Sequence, residues 1–320
     1  MNRIIGILLP LFVVAAVAFA FSERPDPPMP DTRVEIQHLL MLDTVSVGAR
    51  LVSVGERGRI FLSDDQGLQW RGAVSDSTAT LTAVEAVNPE RLVAVGHDSV
   101  ILLSEDGGER WHTVFAEPAA EEPLLAVRFD PGGHGYAVGA YGRFLESRDG
   151  GLSWEQRHPD EHDFHFGAIA RSGDALLMAG EAGTLMRSDD GGQHWHALES
   201  PYAGSFFGLL ELTDGAVLAY GMRGHVYHSA DAGRNWQPVE TETGQSIFGG
   251  HVLADGTLVL VGQNGLALRG RDLEHGLTRL DLDTSRTFSA VIESGAGDVL
   301  LFGEDGVLHL PTAQIAVPGS

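Results

Sequence analysis

Five eight-residue stretches concentrate groups that could do chemistry: SDDQGLQW from Ser63, SEDGGERW from Ser104, SRDGGLSW from Ser147, SDDGGQHW from Ser188 and SADAGRNW from Ser229. Each sets a hydroxyl, one to three carboxylates, glycine and an indole in the pattern S-x-D-x-G-x-x-W. Oxygen-rich loops can bind calcium, but an EF-hand needs about 12 residues with ligands at several fixed positions. A second candidate is RHPDEHDFHFG, where His158, His162 and His165 lie among Asp160, Glu161 and Asp163. Imidazole and carboxylate suit zinc, yet the spacing fits no ordinary zinc motif. A third is Arg57, Arg223 and Tyr141, cations that could hold a carboxylate and a phenol that could act as a nucleophile. No G-x-S-x-G and no H-E-x-x-H is present.

The five boxes are repeats, and repetition decides what they are for. Trp70, Trp111, Trp154, Trp195 and Trp236 are all five tryptophans of the chain, spaced 41, 43, 41 and 41 residues apart. A residue type confined to one repeat position reports a packing requirement. Ser63, Asp65, Gly67, Ser104, Asp106, Gly108, Ser147, Asp149 and Gly151 therefore read as structural. So do Ser188, Asp190, Gly192, Ser229, Asp231 and Gly233.

Upstream of each box is a second marker of G-x-x-G type, starting at Gly55, Gly96, Gly139, Gly180, Gly221, Gly262 and Gly303. Seven markers give seven units. GRDLEHGL from Gly270 is a worn sixth box, and the seventh unit has none. Within a unit, short apolar runs broken by glycine and aspartate turns make four antiparallel strands. Four strands at a period near 41 predict an all-β, seven-bladed propeller.

The expected blades are 41–78, 80–119, 123–160, 165–200, 206–242, 247–283 and 287–318. The box tryptophan follows the first turn glycine by 15 residues, which in the seventh unit falls at Pro318, so the C-terminus cannot supply a fourth strand there. Residues 29–39, with RVEIQHL the most strand-like part, are expected to complete that blade. At the start of each first strand, Phe166, Phe207, Phe248 and Phe288, with Met41, Leu81 and Leu125, are expected to pack around the central channel.

Composition removes several functions. The 320 residues carry a formal charge of −23, no cysteine and no lysine, all 21 basic residues being arginine. That argues against nucleic acid, and it excludes Schiff-base lysines, P-loop lysines, disulfides and thiolate chemistry. Arg3, the apolar run Ile4–Phe21 and Ala18-Phe19-Ala20 form a signal peptide over residues 1–20, with cleavage after Ala20 expected or retention as an anchor. A proline-rich linker occupies 21–32. The expected location is the periplasm, soluble or tethered to the inner membrane.

S-x-D-x-G-x-x-W is the Asp-box, or bacterial neuraminidase repeat. Coupled to V-G-x-x-G and D-G-G-x-x-W in stretches such as AVGAYGRFLESRDGGLSW and AGEAGTLMRSDDGGQHW, it resembles the photosystem II stability and assembly factor-like propellers. The resemblance covers nearly everything after residue 33. It implies a non-catalytic scaffold that helps assemble a membrane protein complex, without cofactor, metal or small-molecule substrate. For exported relatives it points to exporters of the resistance-nodulation-division class as partners. Sialidases have six blades and an F-R-I-P motif, both missing here; a glycan-binding or glycan-cleaving propeller is the alternative. The face opposite the boxes is then the one to inspect, with Arg57, His97, Tyr141, Glu181, Arg223, Asn264 and Asp305 at its turns.

Overall fold

A computed structural model describes residues 35–159 and 163–315. The expected signal segment, the linker, residues 29–34 of the closing segment, His162 and residues 316–320 lie outside the described residues.

Seven sheets succeed one another along the chain. Blade five shows the pattern: Phe206–Glu211, Val217–Gly221, Val226–Ser229 and Gln237–Val239 pair antiparallel in chain order. Second strands such as Leu92–Gly96 and Leu258–Gly262 are buried throughout, because a neighbouring blade covers each face. That is why LVAVG and LVLVG read as continuous apolar runs instead of alternating.

The core lies between blades. Val52 and Leu62 of blade one pack with Leu92, Leu102 and Trp111 of blade two, and Val259 and Ala267 of blade six with Val291 and Leu301 of blade seven. Each buried aliphatic side chain of this kind contributes about 1.5–3 kcal/mol, so a single blade has no stable core without its neighbours. The inner strands touch in sequence around the ring, and Met41–Val47 of blade one meets Phe288–Glu293 of blade seven.

Three features depart from expectation. First, the described part of the proposed closing strand is a 3-10 turn, Ile36–His38, and blade seven has three strands among the described residues. Ile36 and Leu39 are buried, and the Leu39 carbonyl accepts the Gly306 N–H at 2.8 Å, which bends this segment over the blade-seven turn. Side chains join the ends of the ring: Ser289 Oγ donates to the Met41 carbonyl at 2.6 Å, and Trp70 meets Phe302 edge-on at 5.7 Å. Second, Val74–Ser75 leaves blade one and pairs parallel with Arg110–Phe115, the outer strand of blade two. Third, every first strand carries a bulge one residue after its start, for example between Phe206 and Gly208. The buried register is therefore Met41, Leu81, Leu124, Phe166, Phe206, Ile247 and Phe288, while Leu125, Phe207 and Phe248 stay half exposed. The expected register was right in four blades and one residue late in the other three.

Candidate functional site

The boxes come first because they fix everything else. In each, the serine hydroxyl donates to the aspartate and accepts the N–H of the second glycine position, at 2.8–2.9 Å in all five. The aspartate accepts the N–H four residues on, from Gln69, Arg110, Ser153, His194 or Asn235. These bonds hold the carboxyls of Asp65, Asp190 and Asp231 below the usual range: through the Gln69 backbone, the His194 backbone and ring, and the Asn235 amide, respectively. Trp70, Trp111, Trp154 and Trp195 each donate Nε1–H to the box glycine carbonyl, whereas the buried Trp236 Nε1 makes no hydrogen bond to a described residue. The tryptophan stands just ahead of the fourth strand, except in blade two, where Trp111 lies inside it. In the worn sixth box Asp272 keeps the role by capping a 3-10 turn through the Glu274 N–H.

Each box is also fastened from outside. Arg50 of blade one donates to the Gly107 carbonyl at 2.8 Å, Arg91 of blade two to Asp149 and Gly150, and Tyr136 of blade three to Gly191 at 2.9 Å. Arg187 of blade four donates to Ala232, and His309 of blade seven to Gly67 at 2.8 Å, across the join. The serine and aspartate oxygens of these loops are thus committed to donors within the protein.

On the opposite face, the second residue of every turn adopts left-handed backbone: Arg57, Asp98, Tyr141, Ala182, Arg223, Asn264 and Asp305 have φ between 52° and 59°. All seven are exposed. The glycine before each turn is extended and is required for a different reason: a Cβ on Gly180 would lie 2.0 Å from the His165 carbonyl. His97 is exposed, but Glu181 is half buried and its carboxylate accepts the His165 N–H at 3.0 Å. Glu56 and Glu304 do the same for Leu40 and Thr287. Glu181 therefore serves the frame. Arg57, Tyr141 and Arg223 sit on turns of blades one, three and five, with no two on neighbouring blades. Of the histidine loop, His165 packs on Tyr141 at 4.5 Å and His158 lines the edge between blades three and four; among the described residues no group of His, Asp and Glu is placed to hold a metal.

One site escaped the sequence reading. Between blades three and four runs a groove whose two parts enclose about 380 and 470 Å³. The buried Glu146 accepts from His134 at 2.6 Å, Arg157 at 3.0 Å and Arg148 at 3.1 Å. Burial works to raise the Glu146 carboxyl, and these donors outweigh it and hold the carboxyl low. Arg148 and Arg157 remain 63% and 43% exposed, leaving cationic surface free for an anion. The signal was present: the second box position is Asp64, Glu105 or Asp189 in blades one, two and four but Arg148 in blade three.

Along the axis the inner strands place Asp43, Glu85, Arg128 and Glu211. Arg128 bonds Glu85 of blade two at 2.9 Å and Glu211 of blade five at 2.8 Å. Asp43 accepts the N–H groups of Thr44 and Val84, both at 2.8 Å. Burial pushes Asp43 up to about 6, and burial opposed by Arg128 pushes Glu85 up to about 7.

Fold and fastenings define an Asp-box propeller. Residues 116–268 match the family model described as photosynthesis system II assembly factor YCF48. Over that stretch the chain is similar to the photosystem II assembly factor-like propellers. It is similar to the solved structure "YCF48 bound to D1 peptide" (16% identity, 85% of this chain and 91% of that one, TM-score 0.69). It is also similar to YCF48 from Cyanidioschyzon merolae (13%, 88% and 97%, 0.68). Streptogramin B lyase, an enzyme by its name, shares the fold as well (12%, 86% and 93%, 0.73). No curated protein matches the chain at the sequence level.

Proposed function

We propose that this chain is a non-catalytic, protein-binding propeller that assists assembly of a membrane protein complex. The observation that carries the reading is the match of residues 116–268 to the assembly-factor family, together with a relative whose structure is titled as bound to a D1 peptide. The geometry supports it. Fastened blades form a rigid frame whose turn tips differ in chemistry while keeping one backbone shape, which suits an irregular protein surface. The groove at Arg148 and Arg157 adds a place for a partner's carboxylates, to which arginine can bond in bidentate fashion.

In this reading the chain is exported and works at the periplasmic side of the inner membrane, soluble or tethered, and an exporter of the resistance-nodulation-division class is a candidate partner. Affinity capture from detergent-solubilised membranes tests it. A discrete membrane protein is expected with the wild-type chain and is lost with the Arg148→Glu/Arg157→Glu pair. Saturable sugar binding with no membrane protein recovered would replace the reading by the glycan alternative. Cell fractionation tests the location: the protein belongs outside the cytoplasm, and a cytoplasmic pool of full length would contradict export.

A further inference from the structure

We propose that the channel mouth on the turn face is a docking site for a partner loop that inserts a basic side chain beside an apolar one. This rests on the reading of the turn face as partner-binding, and it names the chemistry of the part that enters.

The bulge in each first strand aims the bulged side chain sideways, toward the inner strand of the next blade. Where it is polar the reach is closed: Thr82 Oγ1 donates to the Leu124 carbonyl at 2.7 Å, as Ser289 does to Met41. Where it is apolar there is no such closure. Phe207 and Phe248 pack ring to ring at 5.4 Å, and Leu42, Leu125, Phe207 and Phe248 all remain half exposed. Blades pack against one another on either side of these residues, so the exposed surface faces the axis. Between Leu125 and Phe207 the equivalent residue is Gly167, which adds no side chain to the collar and lets the Phe206–Phe207 backbone come close, 3.2 Å from where a Cβ would stand.

The floor beneath the collar is short of positive charge. Among the described residues, Asp43 is bonded to two backbone N–H groups and to no cation. Tyr220, only 5% exposed, runs its ring past Gly208 and Gly250, where a Cβ would stand 2.2 Å and 3.4 Å from ring atoms. Its hydroxyl lies within range of the Asp43 charge and makes no hydrogen bond to a described residue. Glu85 and Glu211 share the one guanidinium of Arg128. Among the described residues these three carboxylates bond one guanidinium between them, the nearby Arg171 guanidinium being paired with Asp130; with a phenol that no described residue bonds, they complement a guanidinium or ammonium, and the collar complements an apolar neighbour on the same loop. An acidic loop would meet like charge, and a wholly apolar loop would bury Asp43 without a partner.

The test is titration of the full chain with acetyl-Phe-Arg-amide, acetyl-Phe-Glu-amide and agmatine near neutral pH, read by calorimetry or chemical-shift change. Saturable binding of the arginine dipeptide is expected, at least about tenfold tighter than either other probe. Phe248→Ser and Leu125→Ser, at half-exposed positions that leave the inter-blade core intact, should each weaken it by about tenfold. Equal binding of both dipeptides, agmatine as tight as the arginine dipeptide, or affinity unchanged in the collar variants would each overturn the proposal. A membrane partner retained equally by wild-type and Phe248→Ser chains, with no dipeptide binding, would sink this inference and leave the protein-binding reading standing.

Discussion

At the scale of residues, a box side chain is worth what it satisfies. Asp231 accepts from Ser229, the Asn235 N–H and the Asn235 amide, so Asp231→Ala orphans three donors at once. Urea denaturation should show a loss of about 1–3 kcal/mol, with partner capture unchanged in the folded variant. The indoles offer a sharper comparison, because Trp111 Nε1–H is bonded and the buried Trp236 Nε1–H is not bonded to a described residue. Replacement by phenylalanine should therefore cost more at Trp111, by about 1 kcal/mol, and equal costs would show that packing alone accounts for both. The type and spacing of these residues were legible in the sequence, since each donor and acceptor lies within four positions of its partner. The external fastenings were not, because Arg50 and Gly107 are distant in the chain and only the ring brings them together.

At the scale of elements, the turn between second and third strands forces left-handed backbone on whatever residue occupies its second place. Asn264 suits that conformation and Ala182 does not. Ala182→Asn should raise stability by about 0.5–1 kcal/mol and Ala182→Val should lower it by more, measured by thermal and urea midpoints. The repeat disclosed blade number, strand count and the position of every turn, because each of those depends on local chain reversal. It did not disclose the bulge. One extra residue in a strand moves every later side chain to the other face, which is why Phe207 and Phe248 read as core while Phe206 and Ile247 hold that place. The arginine groove is not legible from one box, because His134, Arg148 and Arg157 come together only at the Glu146 carboxylate.

For the whole molecule, acid and base pull stability in opposite directions. Asp43 and Glu85 have raised carboxyl pKa values, about 6 and 7, so the folded chain holds their protons more tightly than the unfolded chain does. Their penalty is complete above about pH 7 and is relieved as pH falls toward the ordinary carboxylate range. The box aspartates are shifted the other way, so their contribution is present above the ordinary range and disappears as pH falls through their folded values. A charge of −23 adds repulsion that also eases on mild acidification. Urea midpoints should therefore peak near about pH 5 and fall on both sides, whereas a midpoint rising steadily to pH 8 would contradict the raised values. The tryptophans give such measurements spatial resolution. Trp111, Trp154, Trp195 and Trp236 pack between consecutive blades, and Trp70 spans the join through Phe302. Intrinsic emission is consequently a map of five of the seven junctions, dark at those flanking blade six. A variant keeping Trp70 alone would be an optical gauge of whether the circle opens before its blades melt.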